Sequence, residues 1–261
     1  FVTAPASTAT TLTFLAFGDS GTGSAEQFAV ADQMAQDDAD FVLHLGDILY
    51  PDGGAGNIVP EYNRLFFEPY RNMLDTRCMF PAPGNHDRHD FFKPYRETFI
   101  TPNNGLPLIG ELYYSFEWAN AKFIMLDSTY LFRYPLGPQM TWLMRELTTN
   151  TKKWLIVYLH HPLYSGGSHG DDATMIAGMG PIFEHNGVDL VLSGHEHNYE
   201  RTVPMKQFNQ DPAYPGLTYL VSGGGGTNIR TFTGSPNTAV GVSAHHYVKI
   251  TIQGDTLVGN A

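Results

Sequence analysis

The stretch VDLVLSGHEHNYER, residues 188–201, joins an apolar run to a glycine and two histidines one residue apart. A short run of branched apolar residues closed by glycine reads as a strand buried on both faces. In an extended segment residues i and i+2 share a face. His195 and His197 are therefore expected to point into one cluster, just where the strand ends. Four other runs finish in the same way. LTFLAFG (12–18) leads into GDSG, which carries Asp19. FVLHLG (41–46) leads into GDILY, with Asp47 and Tyr50. CMFPAPG (78–84) leads into GNHD, with Asn85, His86 and Asp87. KWLIVYLH (153–160) ends on His160 and His161.

Between the strands lie segments of helical period. SAEQFAVADQMAQ (24–36) has a serine in the capping position, and PQMTWLMRELTTN (138–150) opens with proline at its first turn. Another helix is expected over 61–74, strained at Pro69, and another around 172–185. YYSFEWANAKFIMLDS (113–128) reads as a hairpin turning at Asn120. Beyond Arg201, LTYLVSG (217–223) and HHYVKITI (245–252) read as short strands. Strands alternating with helices imply βαβ units around a mostly parallel sheet, completed by antiparallel strands or a second sheet. Ligands of such folds gather at the carboxyl ends of the strands. All five motifs fall there, and the expectation is that they meet at one edge of one sheet.

The bulk properties narrow the functional classes. The chain has 261 residues, 42% hydrophobic and 16% charged, with a net charge of −11. An acidic surface repels nucleic-acid backbones and anionic membranes, so neither is an expected partner. No apolar run is long enough to span a bilayer. Residues 1–11, small and polar, are expected to be a flexible segment ahead of a single domain over 12–261. The start at Phe1 suggests a processed or trimmed chain. Cys78 is the only cysteine, which rules out an internal disulfide, and it reads as a small buried filler.

Each motif alone has an ordinary explanation. Gly-Asp after a strand is often only a tight turn, and a single histidine at a strand end is usually a satisfied polar group. Five together, mixing carboxylates, a tyrosine, an amide and imidazoles, are a metal-ligand inventory. Six of the eleven histidines fall in or just after three of these motifs. Two metals about 3.5–4 Å apart clamp the attacking and leaving oxygens of a displacement at phosphorus.

In this order, GDSG, GDILY, GNHD, LHHPLYS and GHEHNYER resemble the metallophosphoesterase superfamily. Tyr50, three residues after Asp47, and the ending HNYER resemble the purple acid phosphatases and their short bacterial relatives. The resemblance runs from about Thr13 to Ile252. It implies an α/β fold, a layered α/β/β/α sandwich with mixed sheets. It implies one metal held by Asp19, Asp47, Tyr50 and His197, and a second held by Asp47, Asn85, His160 and His195, with Asp47 bridging. It implies that His86 binds phosphate and protonates the leaving oxygen, and that His169 contacts substrate. The expected metals are Fe(III), which suits a tyrosinate, and a divalent Zn, Fe or Mn ion. The expected reaction is attack of a metal-bridging hydroxide on a small phosphate monoester. A phosphodiesterase is the alternative within the superfamily, and a non-catalytic metal- or phospho-ligand-binding module is the alternative outside it. Asp87 is read either as orienting His86 or as capping the next turn. By analogy with the family a secreted or periplasmic location is expected, and a monomer is compatible with everything above. Plant members carry a further N-terminal all-β domain, which lies outside these residues.

Other stretches are set aside. GGSHG (166–170) matches the nucleophile elbow of serine hydrolases but lacks the preceding strand and following helix, so it reads as a rim loop. SGGGGTN (222–228) has no Lys-Ser/Thr after it and reads as a plain turn rather than a phosphate-binding loop. His44, and His245 and His246 on a late strand, read as structural, and His89 as a neighbour of the pocket. Specificity is expected from loops 51–60, 88–110, 129–137 and 164–172.

Overall fold

The computed structural model describes residues 3–53, 58–105, 110–129 and 137–261. Parts of the expected specificity loops, at 54–57, 106–109 and 130–136, lie outside the described residues. Among the described residues twelve strands form two mixed sheets. In the first the order is β12 (Thr256–Asn260), β11 (Val248–Gln253), β1 (Thr11–Phe17), β2 (Phe41–His44), β3 (Cys78–Pro81). In the second it is β10 (Thr238–Val242), β8 (Tyr199–Thr202), β9 (Thr218–Ser222), β7 (Leu190–Ser193), β6 (Trp154–Tyr158), β5 (Ala121–Met125), β4 (Tyr114–Trp118). β1, β2 and β3 run parallel, as do β5, β6, β7 and β9.

Side-chain alternation explains why the strand runs are apolar throughout. Phe14, Ala16, Phe41 and Leu43 of the first sheet pack with Phe123, Met125, Ile156, Tyr158, Leu190 and Leu192 of the second, forming a core between the sheets. The residues between them face outward. Leu15, Phe17 and Val42 pack beneath helices α1 (Ala25–Gln36) and α3 (Glu68–Leu74). Leu155, Val157 and Val191 pack beneath α5 (Pro138–Thr148) and α6 (Ala173–His185). The result is four layers, α/β/β/α, and the central strands are covered on both faces. Phe41 shows the density of the middle layer, stacked on Phe14 at 5.4 Å and meeting Phe123 edge-on at 5.2 Å. Burying one such ring contributes about 1.5–3 kcal/mol.

Several boundaries depart from expectation for physical reasons. The helix expected over 61–74 is present but begins at Ile58 and carries a π-helical turn: α2 (Ile58–Tyr62), the turn (Asn63–Phe67) and α3 follow one another with helical backbone at each junction. Pro69 cannot donate to the carbonyl four residues back, and that carbonyl, Leu65 O, accepts instead from Gln27 Nε2 at 2.7 Å. Helix α4 (His89–Thr98) was not expected. Its opening residues Asp90, Phe91 and Phe92 have positive φ and Pro94 lies inside it, so its helical signal is weak. β11 begins at Val248, so His245 and His246 precede the strand rather than lie on it. The edge strands β10 and β12, and β8 beside β10, carried too little apolar periodicity to be read. Cys78 is half-buried. No helix among the described residues is long and apolar enough to cross a membrane.

Candidate metal centre

The five motif strands β1, β2, β3, β6 and β7 all end at one side of the molecule. They belong to two sheets, not one: β1, β2 and β3 to the first, β6 and β7 to the second. The site therefore lies where the sheets meet, a seam tied by Gly18 N–H donating to Ser222 O at 2.9 Å. One sheet edge was expected because sequence shows which residues end a strand, but not which strands share a ladder.

The loops turn sharply. Asp19, Asp47 and His195 have φ of 60°, 54° and 68°. Positive φ is strained for residues other than glycine, and such strain collects at functional sites. His195 is therefore not in an extended segment, and the two histidines do not share a face by alternation. His195 N–H donates to Asp19 Oδ2 at 2.8 Å, which turns its ring toward His160, His161 and His169. His197 faces Tyr50 and Asp19 instead, its Nε2 3.4 Å and 3.5 Å from their oxygens. Gly46 has φ +95°, and a Cβ there would sit 2.5 Å from His160 Nδ1, so this position excludes side chains.

At the centre Tyr50 Oη donates to Asp47 Oδ2 at 2.9 Å and to Asp19 Oδ1 at 3.1 Å. His160 Nε2 stands 3.1 Å from Asn85 Oδ1 and 3.3 Å from Asp47 Oδ1. The seven residues Asp19, Asp47, Tyr50, Asn85, His160, His195 and His197 are thus brought together from five loops. Asp19, Asp47 and His160 form one compact group of ligand atoms, and His160, His161 and His195 another.

Two imidazoles are oriented by backbone carbonyls. His160 Nδ1 donates to Leu45 O at 2.8 Å and His197 Nδ1 to Asn228 O at 2.8 Å. Each bond fixes the ring so that Nε2 is directed into the cluster, the orientation that metal-ligating histidines need. SGGGGTN is accordingly not a plain turn: it delivers Asn228 O to His197, and Thr227 N–H to Asp19 O at 3.0 Å.

The electrostatics fit cations. Burial, with Asp47 beside it, pushes the Asp19 carboxyl up to about 8. Burial also opposes charge on Asp47, but the neighbouring His160 outweighs it and holds Asp47 below the usual carboxylate range. His160 is lowered by burial and raised more strongly by Asp47, to about 9. Burial, then Arg230, draws His197 down to about 4, and burial with His160, His161 and His169 draws His195 far down. Burial and both carboxylates hold Tyr50 well above the ordinary phenol value. Without cations, Asp19 and Tyr50 are pushed toward protonation and His195 and His197 toward neutrality, while Asp47 and His160 favour each other's charged forms; metal ions take the place of the protons these groups share. Three anionic oxygens, one amide oxygen and three imidazoles suit a pair of hard or borderline cations.

His86 stands at the rim. Its N–H donates to Asp47 Oδ1 at 2.8 Å, its ring packs on Tyr50 with centroids 4.5 Å apart, and its Nε2 is 3.9 Å from Asp47 Oδ2. The ring's Nδ1 bonds to Pro51 O, so no orienting carboxylate is needed. Asp87 indeed does not serve that role. Its fully buried carboxylate accepts from Gly84 N at 2.8 Å, Ile48 N at 2.9 Å and Leu49 N at 3.4 Å, tying the GNHD loop to the GDIL loop. Asp87→Ala strands these donors and is expected to destabilise the metal-free protein by about 3 kcal/mol. Urea unfolding checks this, and an unchanged midpoint would show that the loops are held by other means.

Glu196, between the two histidines, was missed. It is fully buried, accepts from His169 N and Nδ1 at 2.6 Å each and from Ser168 N at 3.1 Å, and so holds the rim loop. A buried glutamate inside a motif of ligands was the available signal. GGSHG is a rim loop with no strand directly before it, as its context implied. His44 is fully buried between Ser20 Oγ at 2.9 Å and Gly46 N at 3.2 Å, bracing the Asp19 and Asp47 loops. His89 opens α4 and lines a separate cavity of about 440 Å³ with Val59 and Lys93.

Two facing mixed sheets with helices outside, and a carboxylate–imidazole cluster where strands of both sheets end, define a metallophosphoesterase-type domain. The chain belongs to the calcineurin-like phosphoesterase family, whose pattern matches residues 12–199. It is 32% identical over 226 residues to purple acid phosphatase 18 of Arabidopsis thaliana, covering 76% of this chain and 49% of that protein. To acid phosphatase type 7 of Homo sapiens it is 28% identical over 254 residues, covering 83% of this chain and 56% of the other. The chain thus spans about half the length of these relatives. The fold superposes on a purple acid phosphatase from yellow lupin (Lupinus luteus) seeds with a TM-score of 0.86 at 21% identity, covering 98% of this chain and 52% of that one.

Proposed function

We propose that this domain hydrolyses phosphate monoesters with the help of two metal ions. The reading rests above all on the convergence of seven donor residues from both sheets, with His160 and His197 held Nε2-inward. Asp19, Asp47, Tyr50 and His197 hold one ion, and Asp47, Asn85, His160 and His195 hold the other, with Asp47 shared. Tyr50, as a hard anionic oxygen donor, favours Fe(III) at the first position, and a divalent zinc, iron or manganese ion takes the second. When bound, the ions polarise the phosphoryl group and offset its negative charge. His86, with Nδ1 on Pro51 O, offers Nε2 to the leaving oxygen as proton donor. His169, half-exposed and held on Glu196, contacts the substrate from the GGSHG loop beside His195.

Two measurements on the iron-loaded protein test this. Turnover of an aryl phosphate should exceed that of its bis-aryl diester, and the reverse order would assign a diesterase. The protein should be pink or purple, and Tyr50→Phe should lose the visible band while keeping its metals. A colourless zinc protein with full activity would contradict the tyrosinate–iron assignment.

A further inference from the structure

Arg230 follows the glycine-rich stretch, and its backbone N–H donates to His197 O at 3.0 Å, so the chain there is fixed to the histidine motif. One nitrogen of its guanidinium faces inward. Nη1 donates to His195 O at 2.9 Å, 3.3 Å from His169 Nδ1 and 3.9 Å from Glu196 Oε2. An arginine carries five N–H donors in a planar fork. Those on Nε and Nη2 have no hydrogen-bond partner among the described residues, and the side chain is 33% exposed. The inner arm is clamped and the outer arm is open, a pre-organised receptor for a planar pair of anionic oxygens.

Its ion-pair partner among the described residues is Glu196, and not a carboxylate of the metal cluster. Arg230 stands against His169 and His195, whereas His86 stands against Tyr50. The two therefore border the cluster from different loops, and Arg230 lies beside it rather than in it. In a chain of net charge −11, a fixed cation at this rim is a selective feature and not part of a general basic surface.

We infer that Arg230 is a specificity-determining residue that binds a second phosphate of the substrate, so that diphosphates are favoured over simple monoesters. The inference rests on the hydrolase reading above. Its test is calorimetric titration of the metal-loaded protein with pyrophosphate and with inorganic phosphate, in wild type, Arg230→Ala and Arg230→Lys. Turnover of pyrophosphate and phenyl phosphate is measured in parallel. Arg230→Ala should lower the pyrophosphate-to-phosphate affinity ratio roughly tenfold or more, and Arg230→Lys, which keeps the charge without the fork, should fall between. An equal loss for both anions, or no loss for either, overturns the assignment. A wild-type protein that shows the preference and its loss in Arg230→Ala, yet hydrolyses neither compound, refutes the hydrolase reading and leaves the anion site standing. Turnover with a ratio insensitive to Arg230 does the opposite.

Discussion

Asp47→Asn should lower turnover on the order of a thousandfold or more and leave the chain folded. Asp47 accepts from Tyr50 Oη at 2.9 Å and His86 N at 2.8 Å, and it stands 3.3 Å from His160 Nε2. It therefore touches both halves of the donor cluster. Asparagine has nearly the same shape and tolerates the positive φ of 54° at this position, so the loop geometry is kept. The charge that would hold two cations together is lost. Steady-state kinetics on phenyl phosphate, read with metal content per chain, checks both parts. If activity stays within tenfold of wild type with both metals retained, the shared-ligand role is wrong.

His86→Ala should keep the metals and lose about a hundredfold to ten-thousandfold of turnover on an alkyl phosphate. The loss should be much smaller on an aryl phosphate, whose leaving oxygen needs no proton. The side chain of His86 is 36% exposed, and its ring bonds to a carbonyl rather than to a cluster ligand. Its removal therefore affects proton delivery more than folding. Comparing kcat for the two substrates separates the effects. Equal losses on both would assign His86 to phosphate binding alone, and no loss on the alkyl ester would remove its role as acid.

The strands and their terminal ligands could be read from sequence because both follow from local pattern. A strand covered on both faces must be apolar throughout, and Phe14 to Phe17 or Ile156 to Tyr158 satisfy that in sequence alone. The ligands stand where those runs stop. What could not be read depends on long-range pairing. Nothing in GDSG or GHEH tells that β1 and β7 lie in different sheets. Alternation misjudged His195, because its positive φ is set by a bond to Asp19, 176 residues away in sequence. Asn228 contributes only a carbonyl to His197, so its side chain carried no signal. Asp87 sits beside a candidate acid and was read both as its partner and as a turn cap. The structure gives it to Gly84, Ile48 and Leu49, because a buried carboxylate is better satisfied by several backbone donors than by one ring. Glu196 and Arg230 needed three dimensions, since their importance lies in the loop and rim they hold.

Metal stoichiometry is the most direct test of the central claim that loops from both sheets converge to hold two cations. Wild-type protein, stripped and reloaded with iron and zinc, then freed of excess metal, should retain two ions per chain by elemental analysis. Asp47→Asn should retain fewer. One ion or none in the wild type, or two retained in Asp47→Asn, would contradict the account.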